Sequence, residues 1–278
     1  MSNRILVTGG TGKTGSRVAG LLRGKGLRPA IATRSPAEAD QVLFNWRDPG
    51  CFAAAFAGID AVYLVAPTDD FDSLGVMQPG LEAALKAGVQ RFVLLSASSL
   101  EEGGPMMGAV HAWLRAHAPQ WAVLRPSWFM QNLSEGQHCS PIRDEFSIFS
   151  ATENGRMGWI AAEDIANCAA TLLTAQAIEN KDYILTGPQA LSYDEVAAEL
   201  SEQLGAVIEH KRLTAEQMAE RFRNNGLPDD YAAGLASMDV AISQGSEDRV
   251  TANVEAITGQ APLSVKDFIG LNLARWQA

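Results

Sequence analysis

A glycine-rich turn near the amino terminus constrains the fold more than any other feature of the sequence. Gly9, Gly12 and Gly15 recur at every third position, after the apolar run Arg4–Thr8 and at the start of the amphipathic segment Lys13–Gly26. This spacing between strand and helix is typical of dinucleotide binding, because the glycines permit a tight turn, a close approach to a pyrophosphate and close helix packing. The helix amino terminus adds unpaired N–H groups that favour phosphate. The residues predicted to hold a dinucleotide here are Gly9, Thr11, Gly12, Lys13, Thr14 and Gly15.

Two other interpretations of the turn stay open. Gly12, Lys13 and Thr14 resemble the end of a P-loop that binds nucleoside triphosphates, but that motif requires glycine at position 7, where this chain has Val7. The loop is also too short to wrap a β-phosphate. The other alternative is a glycine-rich turn that binds no ligand, with Lys13 facing solvent rather than a phosphate.

The residues after the second predicted strand indicate which nicotinamide nucleotide is bound. Chains that bind NAD usually hold an acidic residue here for the ribose 2′-hydroxyl, whereas an arginine accommodates a 2′-phosphate. This chain has Thr33, Arg34 and Ser35, followed by no acidic residue until Glu38. Because a guanidinium can bind a phosphate through two hydrogen bonds, we expect Arg34 and Ser35 to favour NADP(H), with NAD(H) as the alternative. The competing interpretation is that Arg34 is a solvated surface residue.

Composition excludes several classes of partner. The 278 residues carry 22 basic and 32 acidic side chains, a formal charge of −10, and 47% of them are hydrophobic. This is typical of a folded globular chain, and the acidic balance argues against nucleic acid or an anionic membrane as the main partner. The apolar runs are too short to span a bilayer, and no signal peptide is recognisable. We expect a cytoplasmic monomer or homodimer whose partner is a small-molecule substrate.

The cysteines predict neither disulfides nor a metal site. Cys51, Cys139 and Cys168 are odd in number and far apart, so reduced thiols are expected. His138 is adjacent to Cys139, but adjacent side chains diverge and no third ligand is spaced nearby. We therefore predict no metal.

Alternating strand and helix patterns predict the fold class. Apolar runs without strict alternation, separated by helices, indicate a parallel sheet covered on both faces, and right-handed crossovers make it a doubly wound, Rossmann-like α/β fold. The predicted strands are Arg4–Thr8, Arg28–Thr33, Val42–Phe44, Asp60–Ala66, Arg91–Ser96, Trp121–Arg125 and Tyr183–Leu185. The main predicted helices are Lys13–Gly26, Cys51–Ala57, Leu74–Ala87, Pro105–His117, Glu163–Thr174, Ser192–Leu204, Asp229–Ser243 and Ser264–Trp276.

After Pro126 the pattern changes. Segment Ser127–Gly158 mixes aromatic residues, proline and glycine with no clean period, before a helix and a strand return to the main sheet. We predict that residues 1–130 and 155–190 form the nucleotide-binding core. Residues 131–154 and 191–278 would form a small, mostly helical lobe over its carboxyl edge that binds the substrate.

Several segments together carry a resemblance to a known family. They are Gly9–Gly15, Arg34, Val65–Pro67, Arg91–Ser98, Leu124–Asn132 and Ala162–Ala166. In these segments the chain resembles the NmrA-like branch of the atypical short-chain dehydrogenase/reductases. Val110–His111, Trp128–Met130 and Leu185–Pro188 make it most similar to the ergot-alkaloid-type reductases of that branch. The resemblance implies a Rossmann core with bound NAD(P). It also implies either reduction of quinones, dyes, enones or iminium ions, or a sensor of the cofactor ratio.

The chain departs from ordinary short-chain dehydrogenases at the proton donor. Those enzymes carry Tyr-x-x-x-Lys on the helix after the fifth strand, and several NmrA-like members have Lys and Glu at the positions that we match to Met107 and His111. No lysine stands four residues after any tyrosine of this chain, and the tyrosines are Tyr63, Tyr183, Tyr193 and Tyr231. The usual acid is therefore missing, which argues against simple ketone or alcohol chemistry.

The chemistry that remains is hydride transfer without a strong acid. An acceptor that is already cationic, or that delocalises the incoming electrons, needs only to be oriented and shielded from water. We expect an NADPH-dependent reductase of a small iminium, quinone or enone acceptor. The catalytic candidates are His111, which could still donate a proton near neutral pH, and Ser98, whose hydroxyl could bond the nicotinamide ribose or the substrate. A packed histidine and a capped strand end are the alternatives.

The other predicted site residues follow strands. Ala66 and Pro67 would offer backbone to the cofactor, while Ser96 and Ala97 would lie near the nicotinamide ribose. The residues expected to wall the substrate, unless they are simply core, are Trp128, Phe129 and Met130.

Two rival functions remain. A redox sensor would bind NADP(H) without turnover and regulate a partner protein, and it would not need an aromatic-lined crevice. A sugar-nucleotide epimerase would need the Tyr/Lys pair to move protons, and this chain lacks that pair.

Overall fold

The computed structural model describes residues 4–67 and 70–277, which form two compact units. The first unit comprises Met1–Pro126, Ala162–Leu185 and Asn253–Gln260, and the second comprises Ser127–Ala161, Thr186–Ala252 and Ala261–Ala278. None of the helices in the described ranges is long and apolar enough to cross a membrane.

A parallel sheet of seven strands organises the first unit, with the order β3-β2-β1-β4-β5-β6-β8. The side chains of its central strands are almost all apolar because helices cover both faces of the sheet. The strand order reverses between β1 and β4, since the chain winds outward first in one direction and then in the other. The strands are β1 (Ile5–Val7), β2 (Ala30–Thr33), β3 (Gln41–Leu43), β4 (Ala61–Val65), β5 (Arg91–Leu95), β6 (Gln120–Pro126) and β8 (Lys181–Leu185).

Helices of the first unit bury amphipathic faces against this sheet. Leu64 and Leu94 on one sheet face share a core with Met77, Leu81 and the inward side chains of the fourth helix. The first helix packs against the seventh, and the seventh also packs against three central strands. The helices are α1 (Lys13–Gly24), α2 (Phe52–Ala55), α3 (Ser73–Lys86), α4 (Met107–His117), α7 (Ala162–Thr174) and α11 (Asn253–Thr258).

The second unit is mostly helical and has its own apolar core around Trp159, Tyr193 and Phe268. Ser192 and Thr214 begin two of its helices with capping boxes, in which side chain and backbone exchange hydrogen bonds three residues apart. The helices are α5 (Gln131–Ser134), α6 (Cys139–Glu145), α8 (Tyr193–Leu204), α9 (Ala215–Asn224), α10 (Asp229–Ser243) and α12 (Val265–Asn272). Two parallel strands complete it, β7 (Ser147–Ser150) and β9 (Glu209–Arg212).

The predicted fold class is confirmed, and the strand boundaries differ by a few residues at most. The segment predicted to be irregular contains α5, α6 and β7. The lobe boundary also differs, because Asn253–Gln260 belongs to the first unit, where Asn253 Nδ2 donates to the carbonyl oxygen of Ile184 at 2.9 Å. Conversely, residues 127–130 and 155–161 were predicted to lie in the nucleotide-binding core but belong to the second unit. There Met130 N donates to the carbonyl oxygen of Ile160 at 2.9 Å.

Candidate cofactor and substrate site

Four neighbouring strands of the first unit end at one edge of the sheet, and the predicted cofactor residues follow them. In sheet order, Arg34 and Ser35 follow β2, the glycine turn follows β1, Ala66 and Pro67 follow β4, and Ser96 and Ala97 follow β5. The strand order reverses within this group, between β1 and β4. In open α/β sheets, ligands bind outside the carboxyl ends of the strands at such a reversal. The tertiary structure thus gathers residues from four chain segments at one candidate site.

The glycine turn has the backbone that a phosphate site requires. Gly9 has φ +59°, and its carbonyl oxygen accepts a hydrogen bond from Gly12 N at 2.9 Å. A Cβ at Gly15 would lie 2.2 Å from Gly9 O, so only glycine allows α1 to approach the turn this closely. Gly12 precedes α1 without a side-chain cap. The first N–H groups of the helix are therefore left for another acceptor.

A buried network fixes the turn on β4. Val65 N donates to Thr8 Oγ1, and Thr8 Oγ1 donates to the carbonyl oxygen of Tyr63, both at 2.8 Å. The Tyr63 hydroxyl in turn donates to Thr14 Oγ1 at 3.1 Å. The Thr14 hydroxyl therefore anchors the turn to Tyr63 on β4, and the backbone N–H of Thr14 stays available for a phosphate. Burial raises the pKa of Tyr63, so this phenol stays protonated in the interior.

Exposed cations flank this edge. Lys13 and Arg34 are exposed, and within the described residues Arg34 has no ion-pair partner. Arg17, one turn beyond Lys13, is instead bound to Glu163, with Nε 2.6 Å from Oε1. Thr33 Oγ1 accepts from Ser35 N at 3.3 Å, which shapes the chain just after β2. An unpaired guanidinium at this position has its donors available for an anion.

The segment after β5 is held by a buried arginine that the sequence analysis assigned no role. Ser98 N donates to the carbonyl oxygen of Pro126 at 2.9 Å. Arg125 donates to the carbonyl oxygen of Ser98 at 2.9 Å, to Asp182 at 2.7 Å and to Glu101 at 2.6 Å. The side chains of Ser96 and Ser98 are buried as well. The backbone around Ser98 is therefore rigidly placed.

His111 lies on α4 with its side chain buried. It is 2% exposed, and its ring centroid is 5.3 Å from that of Trp121. Nε2 is 3.9 Å from Glu102, and among the described residues neither ring nitrogen has a hydrogen-bond partner. Burial lowers the pKa of His111, so the imidazole is neutral at pH 7. These surroundings do not favour the proton-donor role, which stays a prediction.

The predicted substrate wall belongs to the second unit, and its members have different environments. Met130 is fully buried in the core of that unit, and its role as a substrate contact stays a prediction. Trp128 and Phe129 are partly exposed. The indole Nε1 of Trp128 donates to the Tyr193 hydroxyl at 3.0 Å. An apolar run after a strand does not show which side chains turn inward, so the sequence alone does not distinguish Met130 from Trp128 and Phe129.

Comparison with known proteins agrees with this geometry. A sequence family described as NAD(P)H-binding matches residues 9–176. The chain is 41% identical over 277 residues to the uncharacterized oxidoreductase YesF of Bacillus subtilis, covering 99% of this chain and 96% of that protein. It is 38% identical over 284 residues to agroclavine dehydrogenase of Claviceps fusiformis, covering 98% of each. The triphenylmethane reductase of Citrobacter sp., solved in complex with NADP(H), shares the fold, with a TM-score of 0.82 and 22% identity over 97% of this chain and 99% of that one.

Proposed function

Since this chain belongs to the NAD(P)H-binding, NmrA-like branch of the atypical short-chain dehydrogenases/reductases and is an NAD(P)H-dependent oxidoreductase, we propose that it uses NADPH to reduce a small acceptor. The acceptor is conjugated or cationic, of the iminium, quinone or enone type. The observation that carries the proposal is the meeting of the glycine turn and Arg34 at adjacent strand ends. Full-length similarity to oxidoreductases favours an enzyme over a cofactor sensor.

Preference for the phosphorylated nucleotide rests on the charges beside β2. Arg34 is exposed and has no ion-pair partner among the described residues, and no acidic residue occurs between Arg34 and Ala37. A ribose 2′-phosphate would gain charge-assisted hydrogen bonds from the guanidinium. A 2′-hydroxyl would find no carboxylate there to accept its hydrogen bond. Both differences favour NADP(H).

The residues of the first unit bind and orient rather than transfer protons. When bound, the reduced nicotinamide supplies the hydride. The turn at Gly9–Gly15 would hold the linked phosphates, and the backbone after β4 and β5 would line the edge beside them. Tyr63 is buried with its hydroxyl on Thr14, so it is no substitute for the missing acid. This arrangement suits acceptors that need no protonation to accept a hydride.

Steady-state kinetics of Arg34→Ala test the cofactor assignment. We expect KM for NADPH to rise about 30-fold, the equivalent of ~2 kcal/mol, because charge-assisted hydrogen bonds to the 2′-phosphate are lost. KM for NADH should change less than about threefold. Arg28→Ala is the matched control, since Arg28 is also exposed and lies just before β2. An equal rise for both nucleotides would refute the NADPH preference.

The acceptor class is tested by incubating the protein and NADPH with quinones, cyclic imines and cationic dyes. Consumption of NADPH, followed by absorbance of the reduced nicotinamide, supports the reductase. Tight binding of NADPH with no consumption by any acceptor would refute it in favour of the sensor.

A further inference from the structure

A buried arginine joins three chain segments near the carboxyl ends of the strands. Arg125 is the last residue but one of β6 and is 5% exposed. Its Nη1 donates to Asp182 on β8 at 2.7 Å, and Nη2 donates to the carbonyl oxygen of Ser98 at 2.9 Å and to Glu101 at 2.6 Å. Because the terminal nitrogens of a planar guanidinium have fixed directions, one side chain holds β6, β8 and the segment after β5 in a defined arrangement.

The contacts of Arg125 differ in what they contribute. Burial lowers the pKa of Arg125, but hydrogen bonds to Asp182 and Glu101 outweigh it, and the pKa is raised above its ordinary value. The guanidinium therefore stays charged. The two carboxylates reach solvent and compensate the buried cation, whereas the hydrogen bond to Ser98 is itself buried and fixes backbone.

The fixed backbone extends the pairing of two strands beyond the end of β5. Ser96 N donates to the carbonyl oxygen of Leu124 at 2.8 Å, and Ser98 N donates to that of Pro126 at 2.9 Å. Alternate residues of an extended chain lie on opposite faces. Ser96 and Ser98 are buried, and Ala97 between them is partly exposed. The accessible surface of this segment is therefore small, and its position is set by the backbone.

The strand order indicates which part of a dinucleotide this segment would contact. β2 lies on one side of the reversal between β1 and β4, and β5 lies on the other side. A dinucleotide bound across such a reversal has one half on each side. The adenosine half, with its 2′-phosphate, is proposed to lie beside Arg34 after β2. The segment Ser96–Ser98 would then contact the nicotinamide half.

We propose that Arg125 is a positioning residue for the nicotinamide half of the cofactor. It acts through the backbone of Ser96–Ser98 rather than on the nucleotide itself. The inference rests on the proposed function, since the orientation of the nucleotide depends on Arg34. A segment that is already ordered saves the conformational entropy that would otherwise be lost on binding. Removal of Arg125 should therefore weaken binding of the nicotinamide half and leave the adenosine half unaffected.

The experiment measures the affinity of Arg125→Met for two nucleotides by isothermal titration calorimetry. NADPH carries both halves, and 2′,5′-ADP carries only the adenosine half with its 2′-phosphate. For the variant we expect Kd of NADPH to rise about tenfold and Kd of 2′,5′-ADP to change less than about twofold, because only the ordering of Ser96–Ser98 is lost. Both partner carboxylates reach solvent, so the substitution strands no buried charge, and a thermal melt checks the fold.

Arg91→Met is the matched control, because Arg91 is a second buried arginine of the same sheet. It is 7% exposed and is the first residue of β5, at the opposite end of the strand from Ser96. Its Nη1 donates to the carbonyl oxygens of Leu172 at 3.0 Å and Ala175 at 2.6 Å, near the end of α7. This variant should lower the melting temperature and leave the ratio of the two Kd values unchanged.

The ratio of the two Kd values decides the proposal. If Arg125→Met weakens both nucleotides equally, or neither, Arg125 is a structural residue only and the proposal is overturned. If Arg125→Met does not fold, Arg125→Lys is judged by the same ratio. Lysine keeps the charge but has one nitrogen where Arg125 uses two, so it cannot hold Asp182 and Ser98 in the same way.

Failure of the proposed function gives a different result. If the wild-type protein binds NADH as tightly as NADPH, the preference for the phosphorylated nucleotide fails. The comparison is then made with NADH and ADP, which again differ in the nicotinamide half. A selective loss of NADH affinity in Arg125→Met supports the positioning role, and an equal change for both nucleotides overturns it.

Discussion

The sheet edge of the first unit and a small cavity of the second unit are formed by different kinds of groups, backbone in one case and side chains in the other. At the edge, backbone N–H groups and glycines form the proposed binding surface, and the cations beside it are exposed. In the cavity, side chains such as Trp128, Tyr193 and Phe222 form the walls, and the Asp239 carboxylate is buried with no counter-charge among the described residues. The edge therefore suits a ligand that backbone groups can bind, such as the linked phosphates of a dinucleotide. The cavity instead holds a carboxylate whose ionisation is disfavoured by burial.

This contrast follows from the chemistry of the groups that form each region. The phosphates of a nucleotide are invariant, so a backbone site that needs only glycine spacing and a helix terminus can bind them. The carboxylate in the cavity has no such freedom, because the buried surroundings do not solvate its charge. Three predictions test this contrast between the two regions.

The largest effect is expected at the glycine turn. Gly15→Ala should weaken NADPH binding about a thousandfold, or ~4 kcal/mol, because the new Cβ would lie 2.2 Å from Gly9 O and push the backbone out of place. Fluorescence titration with NADPH measures this loss. Gly20→Ala on the same helix is the control, since nothing lies within 4 Å of its Cβ position, and it should bind normally and gain ~0.5–1 kcal/mol of stability. A folded Gly15→Ala protein with wild-type affinity would show that the backbone is not the binding surface.

The second prediction concerns the pH dependence of stability caused by Asp239. Its pKa is raised to about 6 from 3.8, so the folded protein binds this proton more tightly than the unfolded chain. The resulting stabilisation is fully present below pH ~4 and is lost as the pH rises through about 6, a change of up to ~3 kcal/mol. Asp239→Asn should therefore match the wild-type protein at pH 4 and exceed its unfolding free energy at pH 7.5, as measured by urea denaturation. A constant difference across this range would mean that the carboxylate is already paired.

The smallest effect is expected for His111. His111→Phe should change kcat less than about twofold from pH 6 to 9, because the buried imidazole is neutral and packs against Trp121. Its unfolding free energy should be equal or up to ~1 kcal/mol higher, since an imidazole with no hydrogen-bond partner among the described residues is removed. A tenfold drop in kcat that depends on pH would instead show that His111 donates a proton. A side chain of the first unit would then take part in the reaction, contrary to the proposal that this unit only binds and orients.

Sequence-based predictions were accurate for features set by neighbouring residues and failed for features set by residues far apart in the chain. The helix Asp229–Ser243 was predicted to the residue, because its limits are local: Pro228 precedes it and Gly245, with φ +86°, follows it. The strand Glu209–Arg212 was missed, since its polar side chains carry no apolar alternation and its pairing with Ser147–Ser150 lies far away in the chain. The burial of Met130 was not predicted for a similar reason, because only tertiary packing decides which side chains turn inward.

From the order of residues alone came the doubly wound sheet, the dinucleotide turn and the absence of a Tyr-x-x-x-Lys acid, because each depends on spacings of a few residues. Folding in three dimensions decided that Thr14 anchors to Tyr63, that Arg125 holds the chain at Ser98, and that Asp239 faces an aromatic cavity. The two hydrogen bonds join positions 27 or more residues apart, and their strength comes from burial in a low-dielectric interior. A spacing pattern carries no information about that burial.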